Sequence, residues 1–187
     1  MSLPVLVGIS GASGATYGVE TLRMLRELEI SAHLIISELG LRTLKIETDL
    51  GLNDITPMAD AIYNNKDLGA AISSGSYLTR GMIIAPCSIK TLSGVANSTS
   101  ANLIIRAADV VLKERRPLVL MVRETPLHKG HLELMVKAAD IGAIIHPPLP
   151  AFYTKPQTIK DIVRHSVGRA LDHLRIDHHL IKRWDGA

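Results

Sequence analysis

Leu3-Pro4-Val5-Leu6-Val7-Gly8-Ile9-Ser10-Gly11-Ala12-Ser13-Gly14-Ala15-Thr16-Tyr17-Gly18 decides the fold. It opens as an apolar run of strand length, breaks into small residues, and resumes as a helical pattern. A short run without polar alternation suits a strand covered on both faces, as in a parallel sheet. Gly8, Gly11 and Gly14 allow a tight turn and a close approach of backbone to ligand. Ser10 and Ser13 are candidates to cap the next helix, or to donate to a phosphate drawn by its free N–H groups and dipole. The glycines fall three residues apart. That is not the Gly-x-Gly-x-x-Gly spacing of a dinucleotide fingerprint, and no Gly-Lys-Ser/Thr follows as in a P-loop. The turn is either a ligand-free strand-to-helix connection or a cradle for phosphate or flavin.

Outward from that turn, helical and strand patterns alternate. Residues 15–29 carry Val19, Leu22, Leu25 and Leu28 on one side and Arg23, Arg26 and Glu27 on another, which predicts a helix. Residues 32–36 form a second apolar run ending at Ser37, and residues 38–47 read as a helix. Residues 48–79 are punctuated by Asn53, Pro57, Asn64-Asn65 and Gly75, and read as irregular with a short helix or two. A third strand spans 81–85 and is stopped by Pro86, after which Ser88 caps a helix to about Ala96. Residues 100–115 are the strongest helix, and a fourth strand follows at 118–122. A helix at 131–139, a fifth strand at 142–146, a proline-rich stretch and a last helix at 158–174 complete the pattern. The expectation is a single α/β domain over residues 1–187, a parallel sheet in three layers with helices on both faces.

Hydrophobic residues make up 47% of the 187, enough to bury a sizeable core. No apolar run reaches bilayer-spanning length and no signal-peptide pattern opens the chain, so the expected location is cytoplasmic. The single cysteine, Cys87, excludes an intrachain disulfide and a cysteine-cluster metal site. Lys and Arg number 21 against 18 Asp and Glu, an excess of +3 that suits a phosphorylated small molecule better than a polyanion track. One Trp, one Phe and four Tyr are too few for an aromatic platform on single-stranded nucleic acid.

Ligands of open α/β sheets bind beyond the carboxyl ends of the strands. The residues expected there are Ser10, Ser13, Ser37, Cys87, Ser88, and Arg123 with Glu124. One such serine is a cap, whereas four polar strand ends describe a lined crevice. Arg123 can hold a phosphate in a bidentate fork, and Glu124 can act as general acid or base in a partly desolvated place. The alternative is a structural ion pair between the two. Arg106, Asp109 and Lys113, spaced three and four apart, project to one side of their helix, either as a charged functional face or as a solvated Asp–Lys pair. Ser73-Ser74-Gly75-Ser76 reads as a surface turn. His128-x-x-His131 has metal-ligand spacing without a third ligand, and reads as two surface histidines bracketing a turn. Cys87 reads as a small buried residue rather than a nucleophile.

Taken together, Gly8-Ile9-Ser10-Gly11-Ala12-Ser13-Gly14, Ser74-Gly75-Ser76, Ala85-Pro86-Cys87-Ser88, the block from Arg106 to Leu120, Val122-Arg123-Glu124-Thr125-Pro126 and Pro150-Ala151-Phe152-Tyr153 resemble the UbiX-like flavin prenyltransferases over nearly the full length. The resemblance implies a Rossmann-like flavoprotein fold assembled as a dodecamer. It implies transfer of a dimethylallyl group from dimethylallyl phosphate to reduced FMN, without a metal. Bonds form at the central-ring nitrogen and an adjacent ring carbon, and the prenylated FMN serves a UbiD-type decarboxylase in ubiquinone biosynthesis or aromatic-acid decarboxylation.

By position, Gly11, Ala12, Ser13, Ser37, Ser88, Ile89, Lys90, Thr91 and Arg123 are the implied FMN contacts. Lys113, Arg106, Tyr153 and Arg169 are the implied contacts to dimethylallyl phosphate. Glu124, with Lys113 and Ser13, is the implied catalytic set, and Tyr153 and Arg169 are expected to reach a site built mainly by another subunit. One departure stands out. Some members carry a tryptophan just before the Ser-Gly-Ser patch, and Leu68 holds that place here, which leaves Tyr17 or Tyr77 to shield an allylic cation. An FMN-dependent cysteine decarboxylase would carry Pro-x-Met-Asn, but Pro86 is followed by Cys87-Ser88. A non-catalytic FMN carrier, or a direct aromatic-acid decarboxylase, is separated from the transferase by activity alone.

Overall fold

The opening apolar run forms β1 (Val5–Ile9), and every residue of it is buried. The computed structural model describes residues 3–186. After β1 the chain runs through α1 (Ala15–Glu27), β2 (Ala32–Ile36), α2 (Glu38–Glu47), the short α3 (Leu52–Ile55), β3 (Ala61–Asn64), β4 (Gly81–Cys87) and α4 (Ile89–Ala96). It continues through α5 (Leu103–Lys113), β5 (Leu118–Val122), α6 (Lys129–Asp140), β6 (Ile144–Ile145) and α7 (Ile159–Asp172). Among the described residues no helix is long and apolar enough to cross a membrane.

The strands form one parallel sheet in the order β3-β2-β1-β4-β5-β6. Side chains alternate across it, so one strand feeds two cores. Val5, Val7 and Ile9 join Leu34, Ile83 and Met121 under α1, α2, α3 and α7. Leu6, Ile84 and Leu120 join Leu92, Ala107 and Ala138 under α4, α5 and α6. Each fully buried Leu or Ile contributes about 1.5–3 kcal/mol. That double coverage is why the strands lack polar alternation. α1 lies close against the sheet because residue 18 is glycine. A Cβ there would sit 2.4 Å from the Ala85 carbonyl oxygen and 2.6 Å from Ile9 Cγ1.

Three expectations need correction. β3 falls inside the stretch read as irregular; it is a four-residue edge strand with alternating exposure, so it offers no apolar run. Pro86 does not end β4. The strand continues to Cys87, with its register against β5 shifting between Ile84 and Cys87, and the missing N–H falls in that irregularity. The helix expected over 100–115 starts only at Leu103, because Asn102 caps it by accepting from the Ile105 N–H at 3.1 Å.

Candidate active site

Strand order reverses between β1 and β4, so the connections leave in opposite directions and a crevice opens beyond their carboxyl ends. Ser10 spans it at its base. Its hydroxyl donates to the Pro86 carbonyl and accepts from the Ser88 N–H, both at 2.8 Å. Ser10 therefore ties β1 to β4 rather than capping α1, whose N-cap is Gly14 with φ 101°. Gly11 carries the first turn of α2 against the glycine turn, since a Cβ there would meet Leu39 Cβ at 2.4 Å.

The start of α1, the expected phosphate cradle, is already filled. The Glu47 carboxylate accepts from the N–H of Gly14 at 2.8 Å and of Ala15 at 2.9 Å. Glu47 ends α2, and nothing local in the sequence marks it, because its partners lie 33 and 32 residues away. The start of α4 is open. Ser88 accepts from the Thr91 N–H at 3.3 Å and donates to the Thr91 hydroxyl at 3.1 Å. Among the described residues the N–H groups of Ile89 and Lys90 have no partner. Ser37, at the end of β2, caps α2 by accepting from the Gly40 N–H at 2.9 Å. This edge thus offers unpaired amides, hydroxyls and a helix dipole, a donor set suited to a phosphate ester.

Arg123 and Glu124 follow β5 on the same edge. They are not paired with each other. Arg123 Nε donates to the Ser13 carbonyl at 3.2 Å, pinning β5 to the glycine turn, while Glu124 is exposed and accepts from the Thr125 N–H at 3.0 Å. Tyr17 lies against Gly14, and burial raises its hydroxyl pKa while the Arg123 guanidinium opposes the rise. Tyr77 sits elsewhere, its hydroxyl 3.4 Å from His33 Nδ1, so of the two only Tyr17 is at the crevice. Leu68 is half exposed. Burial pushes the Cys87 thiol up to about 12, so it stays protonated and inert.

The remaining expected residues gather in two other places. Arg106 donates to the Asp109 carboxylate at 3.0 Å and to the Ser73 carbonyl at 3.2 Å. Lys113 pairs with Glu114 instead of Asp109, close against Gly75. The Ser73–Ser76 turn is therefore more than a surface loop, since Arg116 also holds the Gly75 carbonyl at 2.8 Å. In the third place, the Tyr153 hydroxyl is 3.1 Å from His165 Nε2, and its ring meets Trp184 edge-on at 5.4 Å. Burial, then the nearby Arg169, lowers the pKa of His165. Arg169 itself is held by Asp172 at 2.6 Å, together with Arg183. Among the described residues no hydrogen bond or ion pair joins Lys113, Arg106, Tyr153 or Arg169 to Ser13, Arg123 or Glu124. His128 caps α6 by accepting from the Gly130 N–H at 3.1 Å, with the His131 ring stacked 3.6 Å away, and no third metal-binding side chain joins them among the described residues.

Residues 1–171 match the family model for Flavoprotein. The flavin prenyltransferase UbiX of Escherichia coli K12 is 54% identical over 186 residues, covering 98% of each chain. The structure of AnUbiX (PadA1) in complex with FMN and dimethylallyl pyrophosphate is 43% identical, with a TM-score of 0.98 over 100% of both chains. A dodecameric FMN-dependent UbiX-like decarboxylase from Escherichia coli O157:H7 is 45% identical, with a TM-score of 0.95 over 98% of this chain and 100% of that one.

Proposed function

The chain belongs to the flavoprotein family and, within it, to the UbiX flavin prenyltransferases, and from that membership we infer how its residues carry dimethylallyl transfer to reduced FMN. The observation that carries the reading is the open first turn of α4, with unpaired N–H groups on Ile89 and Lys90. The FMN phosphate docks there, aided by the hydroxyls of Ser88, Thr91 and Ser37. Gly11, Ala12 and Ser13 pass close to the flavin, and Arg123 holds the turn that carries them. When bound, the reduced flavin supplies the nucleophilic ring nitrogen.

The residues of the chain then have three tasks. Lys113, Arg106 and Arg169 neutralise charge developing on the phosphate as it leaves the allylic carbon. The Tyr153 hydroxyl donates to a phosphate oxygen. Glu124 delivers a proton from its carboxyl to the departing phosphate and afterwards accepts one from the ring. Holding the allyl group against the flavin supplies the rest through proximity.

Because these groups lie in three separate places on one chain, we propose that the site is completed between copies. The dodecameric relative supports this. So do apolar side chains left in solvent, Ile46 at 72%, Phe152 at 74% and Ile159 at 80% exposed. The whole chain acts as one cytoplasmic flavoprotein domain in this reading, and its product passes to a UbiD-type decarboxylase.

The test is anaerobic. Purified protein is mixed with reduced FMN and dimethylallyl phosphate, and the released flavin is weighed by mass spectrometry. A gain of one dimethylallyl unit is expected, and an unmodified flavin refutes the reading. Glu124→Gln should keep FMN binding and lose turnover by about 100-fold or more, the usual scale of general acid–base catalysis. Full turnover would remove Glu124 from the mechanism.

A further inference from the structure

At the opposite edge of the sheet, where β4 and β5 begin, a cleft of about 740 Å³ opens between the ends of α5, α6 and α7. Arg80, Arg115, Arg116, His173 and Arg175 line it, and none of its lining residues is acidic. Elsewhere Arg23, Arg106, Arg164, Arg169 and Arg183 each meet a carboxylate, while Arg26 and Arg123 donate to backbone carbonyls. Among the described residues none of the four arginines of this cleft meets a carboxylate. Among the described residues the side chains of Arg80, Arg115 and Arg175 make no hydrogen bond and no ion pair. Arg116 is half-buried and held only by neutral oxygens, the carbonyls of Gly75 and Tyr77 at 2.8 Å and the Thr79 hydroxyl at 3.4 Å.

Helix carbonyls do not account for this gathering of charge. Three helices end at the cleft, which favours cations. Yet carbonyls in the last turn of each already accept from backbone N–H groups: Leu112 from Arg115 and Val111 from Arg116 in α5, Ala138 from Ala143 in α6, and Leu171 from Leu174 and Asp172 from Arg175 in α7. Arg115 and Arg175 moreover adopt left-handed backbone at φ 55°, a conformation that ordinarily selects glycine or asparagine. Four like charges around one concavity focus a positive potential into it.

We propose that this cleft is a second anion site, separate from the flavin crevice, and that it takes a small molecule carrying two or more linked phosphate groups. Several guanidinium forks arranged around a space far larger than one phosphate match a chain of phosphates, since each fork can bind one group bidentately. The volume of about 740 Å³ leaves room for such a molecule. Leu112 and Ile141 leave an apolar wall for an organic body attached to the phosphates.

The probe is inorganic tripolyphosphate, titrated calorimetrically into the full chain saturated with FMN at physiological ionic strength. One saturable site per chain is expected. The double variant Arg80→Ser/Arg175→Ser should weaken it about tenfold or more, as loss of two charged forks implies, with the melting temperature and prenyl transfer unchanged. Lys113→Ala should leave the titration as it is. Absence of saturable binding overturns the proposal. So does binding lost in Lys113→Ala but kept in the double variant, because the probe then occupies the catalytic site. A poly-glutamate peptide that binds the same arginines more tightly than tripolyphosphate would overturn it in favour of an acidic protein partner.

Discussion

Two helices begin at the crevice, and the chain treats their first turns in opposite ways. α1 is closed by the Glu47 carboxylate, which takes the N–H groups of Gly14 and Ala15. α4 is open, with its Ser88 cap reaching Thr91 and leaving Ile89 and Lys90 unpartnered. Both ends carry the same kind of dipole. The glycine turn before α1 is the more familiar phosphate signal in sequence, yet the unpaired amides are at α4. A helix start binds an external anion only if no carboxylate of its own chain reaches it first.

The strongest way to break this comparison is to close α4 as α1 is closed. Lys90→Glu puts a carboxylate beside the free amides, where it competes with the FMN phosphate and repels it. FMN affinity, followed by flavin fluorescence, should fall about tenfold or more. Unchanged affinity would put the phosphate elsewhere. The converse experiment opens α1. Glu47→Gln removes the anion from its first turn and should lower stability by roughly 1 kcal/mol in urea unfolding. FMN affinity should not collapse; if it does, α1 rather than α4 carries the phosphate.

That stability comparison belongs above neutral pH, because three histidines add an acid-sensitive background. Burial lowers the pKa of His33, His146 and His165 below the usual 6.5, with His173 and Arg169 adding to the shifts of His146 and His165 respectively. The unfolded chain then binds protons that the folded chain refuses. Stability is full above about 6.5 and declines as pH falls below it towards the lowered folded values. Melting temperature against pH should show this decline, and replacing each histidine by Gln should shrink it. The smallest effect belongs to Cys87→Ala, which should leave turnover unchanged. Iodoacetamide should likewise fail to modify the native protein, whereas rapid alkylation would contradict a buried, protonated thiol.

The parts of the fold that were legible in sequence are those whose partners are local or generic. β1, β2 and β5 are apolar runs because both faces are covered, and α2 follows the end of β2 with a simple periodicity. β3 was hidden because an edge strand of four residues alternates instead of running apolar. The site divides in the same way. Ser88 and Arg123 were legible as polar residues at strand ends, and Thr91 only through the family resemblance. Glu47 was not, because its acceptor role depends on a turn 33 residues earlier. Arg106 illustrates the middle case: its spacing predicts a charged face, but only the structure shows Asp109 paired with Arg106 while Lys113 turns to Glu114.

The amino-acid sequence by itself determined the layered parallel sheet, the edge on which the crevice opens, and the prenyltransferase family, because strand burial, helix periodicity and dense short motifs are properties of neighbouring residues. Only the tertiary structure decided that Glu47 closes α1, that α4 stays open, that Lys113 and Tyr153 stand apart from Glu124, and that four arginines share one cleft without a carboxylate. Each of these depends on which distant side chain reaches a given backbone group or charge first, and that competition is settled by packing rather than by position along the chain.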